Sequence, residues 1–291
     1  MNNHFNKGLV LSSLGSFWWG FIGVIYFQYV SFIGHIELVI HRCIWTAVML
    51  IITTHFFSKW KVFLSIIRDK KKLLVLFFSG LLIFINWAVW IYAVSNDQII
   101  DASFGYFIMP IVSVLCGNIF FKERISLKSK ISIFLVCIAI LILLRNFDNV
   151  PWVGLIVAFS WAFYNVLRKL INVETDIGLL IESLYILPMS LIVFYLIFKN
   201  GQNDFSLENL NLMFILLLAG PMTVIPLFLY VRGVELSGLG PSGMIFYITP
   251  SLQFLLGYFY YNELYSYEKF FSFTIIWIAV IIYLKDLYEK Y

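Results

Sequence analysis

The sequence predicts an all-α polytopic membrane protein: ten transmembrane helices arranged as two five-helix repeats of inverted topology. Three observations predict it: the balance of apolar and charged residues, the spacing of apolar windows, and one stretch that occurs twice. Of the 291 residues, 62% are hydrophobic and 12% charged, and the mean hydropathy is +0.91. Soluble domains hold about 25% charged residues. A chain this apolar cannot hide its surface in its own core and needs lipid to cover it. Aromatic residues are abundant, but no basic stripe accompanies them, so nucleic acid is not an expected partner. Cys43, Cys116 and Cys137 stand singly in apolar runs. They show no metal-binding spacing and read as small hydrophobes, and neither metal nor cofactor is expected.

Apolar windows long enough to cross about 30 Å of hydrocarbon, at about 1.5 Å per residue, set the elements in order. They fall near 8–30, 35–57, 73–94, 102–121, 131–147, 151–171, 177–198, 212–233, 242–261 and 270–288. The first follows a polar start but runs past signal-peptide length without a small-x-small cleavage site, so it reads as a retained span. Connections are too short for a soluble catalytic or nucleotide-binding domain. With a cytoplasmic N-terminus, 16 of the 20 lysines and arginines fall on inside segments and 3 on outside ones, with Arg42 inside a span. Both termini are therefore expected in the cytoplasm.

The repeated stretch is "YFIMPIVSVLCGNIFFKERIS" at 106–126 and "FYITPSLQFLLGYFYYNELYS" at 246–266. A shift of 140 superposes Pro110 on Pro250, Leu115 on Leu255, Gly117 on Gly257, Glu123 on Glu263 and Ser126 on Ser266. A shift of 146 superposes Gly8-Leu9 and Phe17 on Gly154-Leu155 and Phe163. The repeats are 1–147 and 148–291. Five spans is an odd number, so the second copy enters the membrane from the opposite side, as in many secondary transporters. In such folds the substrate site lies between the repeats near the midplane.

Charged groups inside spans are expensive and become candidates by default. Glu37, His41 and Trp45 share one face of the second span, with Arg42 beside them. Arg42 reads as an anion receptor and the Glu37/His41 pair as a titratable gate. The competing reading is a structural ion pair among Glu37, His41 and Arg42. Glu182 in the seventh span reads either as a coupling carboxylate or as the partner of Arg168 or Lys169. Asn86, Trp87 and Trp90 on the third span, and Tyr164 and Asn165 on the sixth, suit an amphipathic solute. Interhelical hydrogen bonds and packing account for the same residue types. Pro110 frees the carbonyl of Tyr106, and Pro250 is expected to do the same to Phe246. That kink is tolerated against protein or a cavity, so Tyr106, Phe107, Phe246 and Tyr247 are expected to face the pathway. Glu123 and Glu263 lie too far along their helices from the prolines and read as elbows at the two faces. Lys122 or Arg124 is the expected partner of Glu123. "GLGPSG" at 238–243 matches a dinucleotide fingerprint, but it follows a membrane helix rather than a strand. Its glycines are expected to loosen the connection between the eighth and ninth spans.

The segments "ELVIHRCIW", "INW", "DASFGYFIMP", "AFYNVLRK", "LLIESLYILP" and "FLLGYFYYNE" resemble the RarD group of the EamA-type permeases, in the drug/metabolite transporter superfamily. The resemblance covers nearly the whole chain. It implies a ten-helix permease of the bacterial inner membrane for small metabolites or drugs. By position, His41, Arg42, Asn86, Trp87, Tyr106 and Glu182 match the group's recurring polar and aromatic set. Ile85 stands where some relatives carry a small residue, which narrows the expected cavity.

Two functions compete. One is a secondary transporter of small organic solutes working by alternating access. The other is a flippase of lipids or lipid-linked substrates with a groove open to the bilayer. No Walker motif, H-E-x-x-H or G-x-S-x-G supports an ATPase or hydrolase, and no enzyme activity is expected. Small solute and lipid bilayer are the expected partners. A homodimer stays open, because lipid-facing and partner-facing surfaces read alike.

Overall fold

The computed structural model describes residues 3–95, 99–145, 150–171, 173–206, 208–260 and 267–290. Among them every regular element is helical. In chain order these are α1 (Asn3–Tyr29), α2 (His35–Phe56), α3 (Lys70–Ser95), α4 (Ile99–Phe121), α5 (Leu127–Leu144), α6 (Trp152–Leu170), α7 (Thr175–Lys199) and α8 (Leu210–Ser237). After them come α9, in two pieces (Leu239–Ile245 and Ile248–Phe259), and α10 (Tyr267–Lys290). A short helix, Trp60–Ile67, lies between α2 and α3. Among the described residues, eight helical runs are long and apolar enough to cross a bilayer. Large apolar side chains such as Ile52, Phe134, Leu141, Ile192, Phe214 and Ile281 are exposed on five of the helices. A soluble fold would bury such a surface; lipid covers it here. The chain is a multi-pass membrane protein.

Capping follows local chemistry. The Asp69 carboxylate accepts from the N–H groups of Lys71 and Lys72 at the start of α3. The Ser126 hydroxyl accepts from Ser129 N–H at the start of α5, and the Asn209 side chain accepts from Leu212 N–H at the start of α8. Each satisfies donors that a helix start leaves free.

Helix pairing defines the architecture. α1 packs on α8, α3 on α6, α4 on α6, α1 on α9, α2 on α7 and α8, α3 on α7, α4 on α9, and α5 on α10. The central core joins α2, α3, α4, α6, α7, α8 and α9 through residues such as Cys43, Trp87, Met109, Trp161, Leu180, Tyr230 and Phe246. A second cluster lies between α4, α5, α9 and α10, around Phe107, Val136, Tyr247, Phe273 and Ile276.

The two proline copies fold differently. Pro110 sits inside the continuous helix α4. The Tyr247 hydroxyl donates to the Phe107 carbonyl at 2.7 Å, tying α4 to the break in α9. The second stretch breaks at Phe246–Tyr247, and Pro250 falls in the first turn of the helix that restarts at Ile248. A first-turn residue has no intrahelical N–H bond to lose, so Pro250 costs nothing there. The expectation that both prolines kink a helix alike is therefore corrected.

The glutamate expectation is corrected too. Glu123 pairs with Lys169 at 2.6 Å, not with Lys122 or Arg124. It also accepts from the N–H groups of Leu239 and Gly240, at 2.9 and 2.8 Å. A carboxylate thus caps the N-terminus of α9 from α4's end, where the helix dipole favours it. Gly238 holds φ +100°, and a Cβ at Gly238 or Gly240 would press on that carboxylate. These glycines tighten the α8–α9 connection rather than loosen it. Tyr261, Glu263 and Ser266 lie outside the described residues.

Candidate functional site

An interior void lies where α2 and α3 meet α7 and α8. Its lining includes Thr46, Leu50, Ile83, Trp87, Leu179, Glu182, Ser183, Val224 and Leu227. About 10 Å³ is open to the centre of a water-sized sphere, room for about one water. A buried arginine stands beyond each end of this void.

Toward the α7–α8 loop stands Arg42, on the α2 turn next to Thr46. Its residue is 6% exposed, and its Nε donates to Thr223 Oγ1 at 3.0 Å. Its guanidinium lies 4.5 Å from the centroid of the Trp87 ring and 5.2 Å from that of Phe27. These aromatic faces stabilise a cation without neutralising it. Among the described residues Arg42 forms no ion pair.

At the lysine-rich face stands Arg168, 1% exposed. Its Nη1 lies 3.6 Å from Glu182 Oε1, and its Nη2 lies 3.8 Å from Glu235 Oε1 and donates to the Thr175 carbonyl at 3.2 Å. Both carboxylates are held in place by others. Ser79 donates to Glu182 at 2.5 Å and Tyr164 at 3.3 Å, while Thr175 and Arg232 hold Glu235. The guanidinium fills the space above Gly178, where any Cβ would collide with it.

The same face carries further ion pairs. Lys59 bridges Glu174 at 2.8 Å and Asp176 at 2.6 Å. Burial pulls the Lys59 pKa down, but the hydrogen bonds and charges of Asp176 and Glu174 outweigh it and raise it above the usual lysine range. Lys128 pairs with Glu289, and Lys169 with Glu123.

The remaining candidates divide around this frame. Glu37 does not pair with Arg42. It accepts from the N–H groups of Asp204 and Phe205 at 2.9–3.0 Å and faces His41 Nε2 at 3.4 Å. The Trp45 indole donates to His41 Nδ1 at 2.9 Å, so the His41 ring proton belongs on Nε2, toward Glu37. Glu37 and His41 thus clasp the loop between α7 and α8, and the triad expected with Arg42 is corrected to a pair. Asn86 donates to the Val157 carbonyl and to Ser160 Oγ, joining α3 to α6. Asn165 donates to its own helix at Trp161 O, while its Oδ1 is buried without a partner.

Trp90 packs edge-on against Phe27, and Tyr106 faces Phe246 at 6.0 Å. Phe246 closes an aromatic cluster with Trp19, Trp161 and Tyr230. A π-helical turn at Trp18–Gly23 interrupts α1 where Trp19 joins that cluster. Phe107 and Tyr247 lie in the cluster between α4, α5, α9 and α10, with Phe107 against Phe273 at 5.1 Å. Of the residues singled out from sequence, Trp87 and Glu182 line the void.

The sequence already offers Arg168 as a partner of Glu182, and Arg168 shares the face of Trp161, Tyr164 and Asn165 at helical spacing. Three further residues escape sequence reasoning. Glu235, Thr223 and Thr46 carried no local signal. Among the described residues no group of His, Cys, Asp or Glu is placed to hold a metal ion.

Residues 6–145 match the EamA-like transporter family. The chain is 32% identical to Protein RarD of Salmonella typhi over 280 residues, 96% of this chain and 95% of that protein. It is also 32% identical to the uncharacterized transporter YojE of Bacillus subtilis, over 95% of this chain and 93% of that one. Identity to the chloramphenicol-sensitive protein RarD of Pseudomonas aeruginosa is 24%, over 85% and 83%. A solved crystal structure superposes with a TM-score of 0.72, covering 96% of this chain and 97% of its own at 14% identity, a likeness of fold.

Proposed function

The chain belongs to the RarD group of the EamA-like transporter family, and from that premise we propose that it is a secondary permease for small organic solutes. The observation that carries the reading is the void. It lies between two helices of the first half, α2 and α3, and two of the second, α7 and α8. Solute sites between repeats near the midplane are the rule for inverted-repeat transporters.

Helix pairing supports the repeat. Exchanging helix n with helix n+5 turns α1–α8 into α6–α3, α4–α6 into α9–α1 and α3–α7 into α8–α2, each of them observed. The pairs α2–α7, α4–α9 and α5–α10 map onto themselves. With α4 and the broken α9 counted as spans, the chain crosses ten times in two halves, 1–147 and 148–291. The 16 basic residues that the sequence assigns to one face support cytoplasmic termini. Alternating access comes from rocking the α2/α3 side against α7/α8. The Arg168 cluster closes the cytoplasmic end, and the Glu37–His41 clasp closes the other.

A flippase of the same architecture calls for polar groups along a groove open to lipid. Here Thr46, Glu182 and Arg168 are buried inside the bundle, which favours a solute path. Reconstituted protein in sealed liposomes tests the reading. Preloaded solute is expected to drive uptake of labelled solute without ATP, and lipid scrambling without solute exchange would sink it.

A further inference from the structure

Arg42 is a buried cation without an anion. Its Nε is committed to Thr223, and its flat faces meet Trp87 and Phe27. The edge that carries the two Nη groups has no acceptor among the described residues. That edge is a planar fork suited to a carboxylate, which it can hold through two parallel hydrogen bonds.

Three neighbours place this guanidinium beside the void. Trp87 both supports the guanidinium and lines the void. Thr223, which fixes Nε, is followed by the lining residue Val224. Thr46, one turn along α2, also lines the void; it is 2% exposed and its hydroxyl has no hydrogen-bond partner. A buried hydroxyl without a partner is costly unless a ligand or water completes it. Below it the lining is apolar, with Leu50, Ile83 and Leu227. The void's one carboxylate, Glu182, is already committed to Ser79, Tyr164 and Arg168.

From this geometry we infer that the transported solute is an amphiphilic organic anion, a carboxylate on an aromatic or aliphatic body. Its carboxylate docks on the Nη edge of Arg42 and accepts from Thr46. Its body lies along Trp87 toward the apolar lining. An organic cation meets an unbalanced positive charge there and no free carboxylate. The inference rests on the permease reading and names the substrate class of that same site.

Full-length protein in detergent is titrated with phenylacetate, 2-phenylacetamide and phenethylammonium, followed by thermal shift and tryptophan fluorescence. Phenylacetate is expected to bind at least about tenfold more tightly than the neutral amide, and the ammonium not at all. Arg42→Gln is expected to abolish that preference, and Arg42→Lys to keep part of it. Thr46→Val, which leaves the charge intact, is expected to weaken phenylacetate while preserving its rank. Amide binding equal to phenylacetate, ammonium binding, no binding by any probe, or a carboxylate preference that survives Arg42→Gln each overturns the inference. Flux of the same three probes in liposomes separates the two readings. Transport of the amide or ammonium alone leaves a permease without an anion site. Binding of phenylacetate without flux leaves an anion site without a permease.

Discussion

Arg42 and Arg168 are both almost fully buried, at opposite ends of one void, and their surroundings differ in kind. Arg168 lies between two carboxylates, Glu182 and Glu235, each anchored by its own hydrogen bonds. Arg42 has aromatic faces and a single hydroxyl. A charge out of water costs several kcal/mol in effect, and only an opposite charge with good geometry offsets most of it. Arg168 is therefore part of the fold's own electrostatic balance. Arg42 leaves that balance incomplete beside a cavity, which is the ground for proposing a ligand there rather than a structural pair.

The contrast can be broken by mutation. The largest effect belongs to Arg168→Gln, which strands the buried carboxylate of Glu182 and removes one partner of Glu235. It should lower stability by about 3–5 kcal/mol, read as a fall in the thermal unfolding midpoint. Adding Glu182→Gln should restore part of that loss; a double variant as unstable as the sum of both singles would deny the pairing. Next is Gly178→Ala, whose methyl group takes the place of the Arg168 guanidinium, at about 2 kcal/mol. In the Arg168→Gln background the same change should cost far less, a coupling that a double-mutant cycle measures.

Arg42→Met should move the other way. Removing an unbalanced buried cation while keeping an apolar stem of similar length is expected to raise the stability of the empty protein by about 1–2 kcal/mol, net of the lost aromatic contact. A fall in the midpoint would place Arg42 with Arg168 as a structural charge. The smallest effect is Thr223→Val, which leaves Arg42 Nε without an acceptor, at about 1 kcal/mol. It should vanish in the Arg42→Met background, and persistence there would show that Thr223 acts through something else.

Much of the frame was legible in the sequence. Eight of the ten windows coincide with described helices long and apolar enough to cross a bilayer, and the sequence offers Glu182 as a partner of Arg168. Pro110 and Pro250 were read alike because their flanking residues are alike. They part company because the second stretch follows the short helix that Glu123 caps, so Pro250 opens a helix while Pro110 interrupts one. Phe107 and Tyr247, read from sequence as pathway residues, are joined in the structure, the Tyr247 hydroxyl donating to the Phe107 carbonyl. That bond joins residues 140 positions apart, and no local pattern announces it.

By itself the sequence determined that this chain lives in a membrane, where its segments lie and which face carries the lysines. Hydropathy and charge are sums over neighbouring residues, and the bilayer reads them segment by segment. Only the tertiary structure decided which buried charge is balanced. Arg42 finds Thr223 across 181 residues and Arg168 finds Glu235 from another helix, so their partners follow from helix packing rather than from spacing along the chain. A charge's meaning depends on what stands within a few ångströms of it, and in a helical bundle those neighbours come from segments far apart in sequence.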